Sequence, residues 1–179
     1  NATLSKRDVF LCIPTGSGKS LTFQLPALLN KGVTVVFMPL IALMQDQTKQ
    51  LEEKGIPVLN LSGVGNDTKS KLSSVLDVFT NKQRNLFDWK KADCPRIIFL
   101  SPEKYAASDS TKHFLDEIYK LGLIERFVID EAHCVSMWGH EFRKDYLHLK
   151  NLKTKFPDVP TLAMTATATQ DYFEDIIKQ

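Results

Sequence analysis

The chain has 179 residues, 43% of them hydrophobic and 25% charged, with 23 Lys and Arg against 21 Asp and Glu for a formal net charge of +2. These values describe one globular domain of ordinary size with material for a sizeable core, and they exclude nucleic-acid binding through an overall basic field, so any such contact has to come from a local surface. Cys12, Cys94 and Cys134 are widely spaced and lack a Cys-x-x-Cys pair, which argues against a disulfide framework or a zinc site and suits a reducing, intracellular compartment. The sequence shows no secretory segment and no apolar run long enough to span a bilayer, so no membrane partner is expected. Asn1 in place of a methionine points to a fragment of something longer.

Taken in chain order, Val9 to Ile13 predicts a short buried strand behind the charged Lys6-Arg7-Asp8. Leu21, Leu25 and Leu28 recur at helical spacing, with Pro26 placed to kink or close that helix. Val33 to Met38 is nearly continuous in β-branched and apolar residues, the pattern of a strand buried on both faces. Ile41, Met44, Thr48 and Leu51 form a helical stripe stopped by Gly55 and Pro57. Val58 to Leu61 predicts a third strand, and Leu72, Val75, Leu76 and Phe79 a helix, after which a polar Asn-Lys-Gln-Arg-Asn stretch is loop-like. Ile97 to Leu100 and Phe127 to Ile129 predict strands flanking a helix that carries Phe114, Ile118 and Leu121 on one face. Phe142, Tyr146, Leu149, Leu152 and Phe156 predict one further helix. Leu162 to Thr165 predicts the last strand, with an amphipathic helix through Tyr172, Phe173, Ile176 and Ile177 behind it. This alternation implies an α/β fold: a parallel sheet with helices on both faces and ligands gathered at the carboxyl ends of the strands.

The stretch Pro14-Thr15-Gly16-Ser17-Gly18-Lys19-Ser20 sits between the first strand and the first helix. Its glycines let successive backbone N–H groups face an anion, and the helix start adds the positive end of its dipole. A lysine at a helix N-terminus is unfavourable unless an anion sits there, so the loop reads as a phosphate cradle. In such a cradle Lys19 reaches the β- and γ-phosphates and the Ser20 hydroxyl ligates magnesium. Ile13 stands where the strict pattern has a further glycine. Asp130 and Glu131 follow a buried strand, and two carboxylates there are costly without a cation. Asp130 is placed to hold magnesium, directly or through water, and Glu131 to orient and deprotonate the water that attacks the γ-phosphate.

Thr15 to Ser20, Asp130-Glu131-Ala132-His133 and Thr165-Ala166-Thr167 resemble motifs I, II and III of superfamily 2 helicases. Gln24-Leu25-Pro26-Ala27-Leu28, Pro39 to Gln47, Ser101-Pro102-Glu103-Lys104 and the aromatic-rich run Cys134 to Arg143 are similar to segments of the RecQ DNA helicases. Met137, Glu141 and Lys144 stand where that family usually has glutamine, aspartate and proline.

The resemblance implies a single RecA-like P-loop NTPase domain over residues 1–179, with ATP and Mg2+ as ligands. The phosphate loop and Gln24 would hold the nucleotide, and Lys19, Asp130 and Glu131 would carry the chemistry. Ser136, Trp138, His140, Phe142 and Arg143 would sense single-stranded DNA, while His133, Thr165 and Thr167 would couple that loop to the ATP site. Trp138 and Phe142 offer flat faces to bases and Arg143 a phosphate or stacking contact, although Phe142 also fits plain core packing. The expected partners are single-stranded and tailed duplex DNA and a second RecA-like domain of the same parent chain; that domain, with its arginine finger, and the adenine-reading glutamine upstream of motif I are not in this sequence. The isolated domain is therefore expected to be nearly inactive, and resemblance to eukaryotic members implies the nucleus. A DEAD- or DEAH-box RNA helicase and a non-hydrolysing nucleotide- or nucleic-acid-binding scaffold are the competing readings.

Overall fold

Strand–helix alternation in the sequence becomes one all-parallel six-stranded sheet in the computed structural model, which describes residues 2–62, 67–81, 94–135 and 143–167, the side chains at 67, 68 and 81 aside. The strands are β1 (Val9–Cys12), β2 (Val33–Phe37), β3 (Val58–Asn60), β4 (Ile97–Leu100), β5 (Ile124–Ile129) and β6 (Thr161–Thr165). They lie in the order β1-β6-β5-β2-β4-β3, with Phe37 opposite both Ile129 and Leu100, and Cys12 opposite Thr165. All strands being parallel, their carboxyl ends share one edge of the sheet.

The period-2 alternation of side chains sorts the core into two clusters, one per face. On one face Val36, Met38, Ile97, Phe99, Val128, Leu162 and Met164 pack against Phe23 and Ala27 of α1 (Leu21–Leu29) and Met44 and Leu51 of α2 (Ile41–Glu52). On the other, Val33, Val35, Phe37, Ile98, Leu100 and Phe127 meet α3 (Asp67–Asn81), α4 (Pro102–Ala107), α5 (Asp109–Lys120) and α6 (Asn151–Lys155). β2 and β4 are buried at every position, as a parallel strand covered on both faces has to be.

Several elements depart from the sequence reading. β1 is half-buried rather than buried, because it is the outer strand of the described sheet. Leu21 and Leu25 are 62% and 57% exposed, while Phe23, Pro26 and Ala27 face the core. The leucine spacing is helical, yet the sheet takes the neighbouring stripe. Pro26 does not close α1, which runs three residues further to Leu29. The described part of the helix predicted through Phe142 to Phe156, from Arg143 on, is not one α-helix: residues Lys144–Lys150 form a 3₁₀ helix and Asn151–Lys155 a short α6. Tyr146, Leu149 and Leu152 recur every three residues, the period that stacks side chains on a 3₁₀ helix, and all three are buried. α4 lies in a stretch for which no helix is predicted above. Its start was legible, since Ser101 caps it by accepting from the Lys104 N–H at 3.1 Å and Pro102 occupies the first turn. The predicted helix through Tyr172, Phe173, Ile176 and Ile177 lies outside the described residues, as do Phe142 and residues 82–85 of the polar stretch, whose first residue, Asn81, ends α3. Among the described residues no helix is long and apolar enough to cross a membrane.

Candidate nucleotide site

The strand order brings the motifs together. β1, β6 and β5 are neighbours, so the loop after Cys12, the Thr165 strand end and the Asp130 strand end stand side by side at one edge. Within the loop, Gly16 and Gly18 hold φ of +80° and +82°. A Cβ at Gly16 would meet nothing within 4 Å and one at Gly18 only Leu21 Cδ1 at 3.7 Å, so conformation rather than space demands glycine. Gly18→Ala is expected to cost about 1–2 kcal/mol through the left-handed backbone alone, readable as a lower urea midpoint with an unchanged m-value.

Helical winding begins inside the loop. The Leu21 N–H donates to the Gly18 carbonyl at 3.0 Å, Thr22 to Lys19 at 3.1 Å and Gln24 to Ser20 at 3.0 Å. The N–H groups of Gly16, Gly18, Lys19 and Ser20 donate to no acceptor among the described residues. Four free amides at the start of a helix, on an exposed loop, form a donor set suited to phosphate oxygens.

Lys19 Nζ lies 2.9 Å from Asp130 Oδ1 and 3.1 Å from Glu131 Oε1. The three side chains are 11%, 6% and 21% exposed, so this is a largely enclosed cluster with one positive and two negative charges. Burial alone would lower the Lys19 pKa, but hydrogen bonding and charge attraction from Asp130 and Glu131 outweigh it and hold the ammonium above its ordinary 10.5. A raised folded value means that the contribution to stability is complete below the ordinary lysine range and is lost as pH climbs through the folded value. The cluster is therefore intact at neutral pH. Its excess negative charge and hard oxygen donors, with the Ser20 hydroxyl at the N-cap of α1, suit a divalent cation such as magnesium.

Glu131 takes a φ of +50°, a left-handed conformation uncommon outside glycine. Its N–H donates to Asp130 Oδ1 at 2.9 Å, and its carbonyl accepts from Cys134 N–H at 2.9 Å. The buried Thr165 hydroxyl donates its one proton to the Thr167 carbonyl at 2.8 Å, so in its 2.8 Å contact with His133 Nδ1 the imidazole must be the donor. The same Nδ1 lies 3.4 Å from Glu131 Oε2. His133 thus bridges the Asp130–Glu131 strand end and the Thr165–Thr167 strand end.

The phosphate-cradle loop after β1 and the acidic pair after β5, with β6 between the two strands, form an arrangement suited to a nucleotide and a divalent cation. The family model described as DEAD/DEAH box helicase matches residues 1–176. The chain belongs to the DEAD/DEAH box helicase family. Among its curated relatives, "ATP-dependent DNA helicase Q-like 4B" of Arabidopsis thaliana is 44% identical over 178 residues, 99% of this chain and 14% of the relative. "RecQ-like DNA helicase BLM" of Xenopus laevis is 40% identical over 179 residues, 100% of this chain and 12% of the relative. The resemblance to RecQ helicases thus extends along the whole chain, which spans about an eighth of the length of these two relatives. Two solved structures share the fold: the DUF1998 helicase MrfA bound to DNA and AMPPNP, with a TM-score of 0.69 at 18% identity over 99% of this chain and 24% of that one, and the Pyrococcus furiosus Hef helicase domain, with 0.60 at 15% over 99% and 34%.

The remaining residues of the helicase domain fall around this centre. Gln24 donates to Gln47 Oε1 at 2.6 Å, tying α1 to α2. Arg143 Nη1 donates to the Pro39 carbonyl at 3.3 Å and stands 3.5 Å from Glu103 Oε1, joining the ends of β2 and β4. Ser136, Trp138, His140 and Phe142 lie outside the described residues, but Arg143 N–H donates to the Cys134 carbonyl at 3.1 Å, so the chain returns to the Asp130 strand end directly after them. Sequence reasoning missed Tyr146 as more than an apolar position. Fully buried, its hydroxyl donates to the Asp130 carbonyl at 2.9 Å. Burial also pushes that phenol's pKa well up, keeping it a donor. The signal for it is chemical: a buried tyrosine hydroxyl has to find a partner.

Proposed function

We propose that this helicase domain is the ATP-binding half of a RecQ-type 3′-to-5′ DNA helicase, coupling ATP hydrolysis to translocation along single-stranded DNA and duplex unwinding. The observation that carries the reading is Lys19 held between Asp130 and Glu131 at 2.9 and 3.1 Å beside free loop amides. When the triphosphate enters, the loop from Pro14 to Ser20 receives its β- and γ-phosphates on those amides, and Lys19 exchanges its two carboxylate partners for phosphate oxygens. That exchange releases Asp130 and Glu131 for their own tasks. Ser20 and Asp130 would hold a magnesium ion, which would supply positive charge to offset that developing on the phosphates. Glu131, freed from Lys19, orients the attacking water and accepts its proton. His133, Thr165 and Thr167 link this centre to the neighbouring strand end, so a shift in one is felt in the other.

The DNA-responsive part is assigned to Ser136, Trp138, His140, Phe142 and Arg143, on their similarity to the aromatic-rich loop of RecQ helicases. A second RecA-like domain in the parent protein supplies the opposite wall of the site. Loss of an arginine finger costs about 10³–10⁵ in rate in related hydrolases, so the 179-residue chain alone hydrolyses ATP only feebly. Work on chromosomal DNA in the nucleus is the matching cellular setting. The test is ATPase stimulation in the full-length protein. Single-stranded DNA is expected to stimulate hydrolysis strongly and RNA weakly. A preference for RNA would assign the domain to RNA helicases, and equal phosphate release from wild type, Lys19→Ala and Glu131→Gln would mark it as a scaffold.

A further inference from the structure

The peptide unit between Asp130 and Glu131 is held at both of its polar ends. Its carbonyl accepts from Tyr146 Oη at 2.9 Å, and its N–H donates to Asp130 Oδ1 at 2.9 Å. The rotation of this peptide sets φ of Glu131, which stands at +50°. For a residue with a Cβ that conformation persists only where its surroundings over-determine it. The Asp130 carboxylate cannot be a dedicated holder, because it also binds Lys19 and is the expected metal ligand. Tyr146 can. It is fully buried, and its backbone is fixed by its own N–H donating to the Arg143 carbonyl at 3.0 Å. Arg143 in turn is bound to Cys134, Pro39 and Glu103.

We propose that Tyr146 is a positioning residue for catalysis: its hydroxyl holds the Asp130–Glu131 peptide in the orientation that keeps Glu131 left-handed and its carboxylate aimed at the attacking water. It acts only through Glu131 and touches neither substrate nor metal. Because Tyr146 follows Arg143 by three residues, its grip is set by the point where the chain returns from residues 136–142. Displacement at Arg143 reaches the catalytic carboxylate through one side chain. The inference rests on the role given to Glu131 above, and it adds a second determinant of rate outside every motif named so far.

The test is a double-mutant cycle in the full-length protein with saturating single-stranded DNA. Tyr146→Phe removes one oxygen and leaves the ring. It is expected to lower kcat about 10-fold, the scale of one lost hydrogen bond to a catalytic group, with the KM for ATP and the affinity for a fluorescent ADP analogue unchanged. In a Glu131→Gln background the same change is expected to lower the residual rate less than 2-fold, because the carboxylate it positions is gone. 4-Aminophenylalanine at position 146, which restores a donor, is expected to recover the wild-type rate. A folded Tyr146→Phe enzyme with wild-type kcat overturns the proposal, as does an equal 10-fold loss in both backgrounds. If Tyr146→Phe fails to fold, as its melting curve and ADP binding would show, the 4-amino variant decides against 4-fluorophenylalanine, which fills the same space without a donor; equal kcat in those two also overturns it. Wild-type hydrolysis by Glu131→Gln alone would instead refute the role of Glu131, a separate outcome.

Discussion

Lys19→Ala in the full-length protein is expected to lower kcat/KM for ATP by about 10²–10³-fold, the effect of removing one charged donor aimed at developing phosphate charge. Lys19 touches both members of the acidic pair, so the change acts twice. The ligand loses a cation, and Asp130, only 4% exposed, loses its charged partner while Glu131 stands beside it with the same sign. Removing one partner from such an enclosed cluster costs far more than removing a surface pair, about 3–5 kcal/mol where burial is complete. Two readouts follow: weaker nucleotide binding by titration of a fluorescent ATP analogue, and a lower melting temperature in the absence of nucleotide. Unchanged affinity would place the phosphates elsewhere.

Glu131→Gln should separate binding from chemistry. The amide keeps the size of the side chain and can still stand near Lys19 and His133, but it cannot take a proton from water. A drop of about 10²–10⁴-fold in kcat is expected with ATP affinity within a few fold of wild type, measured by steady-state phosphate release beside equilibrium binding. The backbone sharpens this expectation. The Tyr146 hydrogen bond to the preceding carbonyl does not involve the Glu131 side chain, so Gln is expected to keep the φ of +50° and the loss to report the carboxylate itself. A fall in affinity equal to the fall in rate would mean that Glu131 binds substrate.

Both residues, and the loop and strand ends that carry them, were legible in the linear order of the chain. Glycines at 16 and 18 before Lys19 and Ser20 could be read because a left-handed turn tolerates little else, and the observed φ values of +80° and +82° bear out that local demand. Val33–Phe37 and Ile97–Leu100 could be read as doubly buried strands because only a parallel sheet with two covered faces consumes such uninterrupted apolar runs. Local chemistry was enough in each case. It failed where several helical faces were similarly apolar: α1 offers leucines at 21 and 25, and only contact with the sheet reveals that Phe23 and Ala27 are inside. It failed again after Arg143, where the three-residue recurrence of Tyr146, Leu149 and Leu152 fits a period of 3.6 almost as well as one of 3.0.

By itself, then, the sequence determined the chemistry available to this protein: a phosphate-receiving loop, an acidic pair, and strands and helices that alternate into a parallel sheet. Tertiary structure decided which groups meet. The order β1-β6-β5 sets Lys19, more than a hundred residues away in the chain, against Asp130 and Glu131, and places Thr165 against His133. Tyr146 carries no motif, and nothing local to it announces a role. Its hydroxyl matters because folding buries it under the Asp130 carbonyl, where water is excluded and each polar group must be answered by another. Local propensity follows from a few neighbouring residues, whereas such pairings depend on the sheet order that closes the chain upon itself.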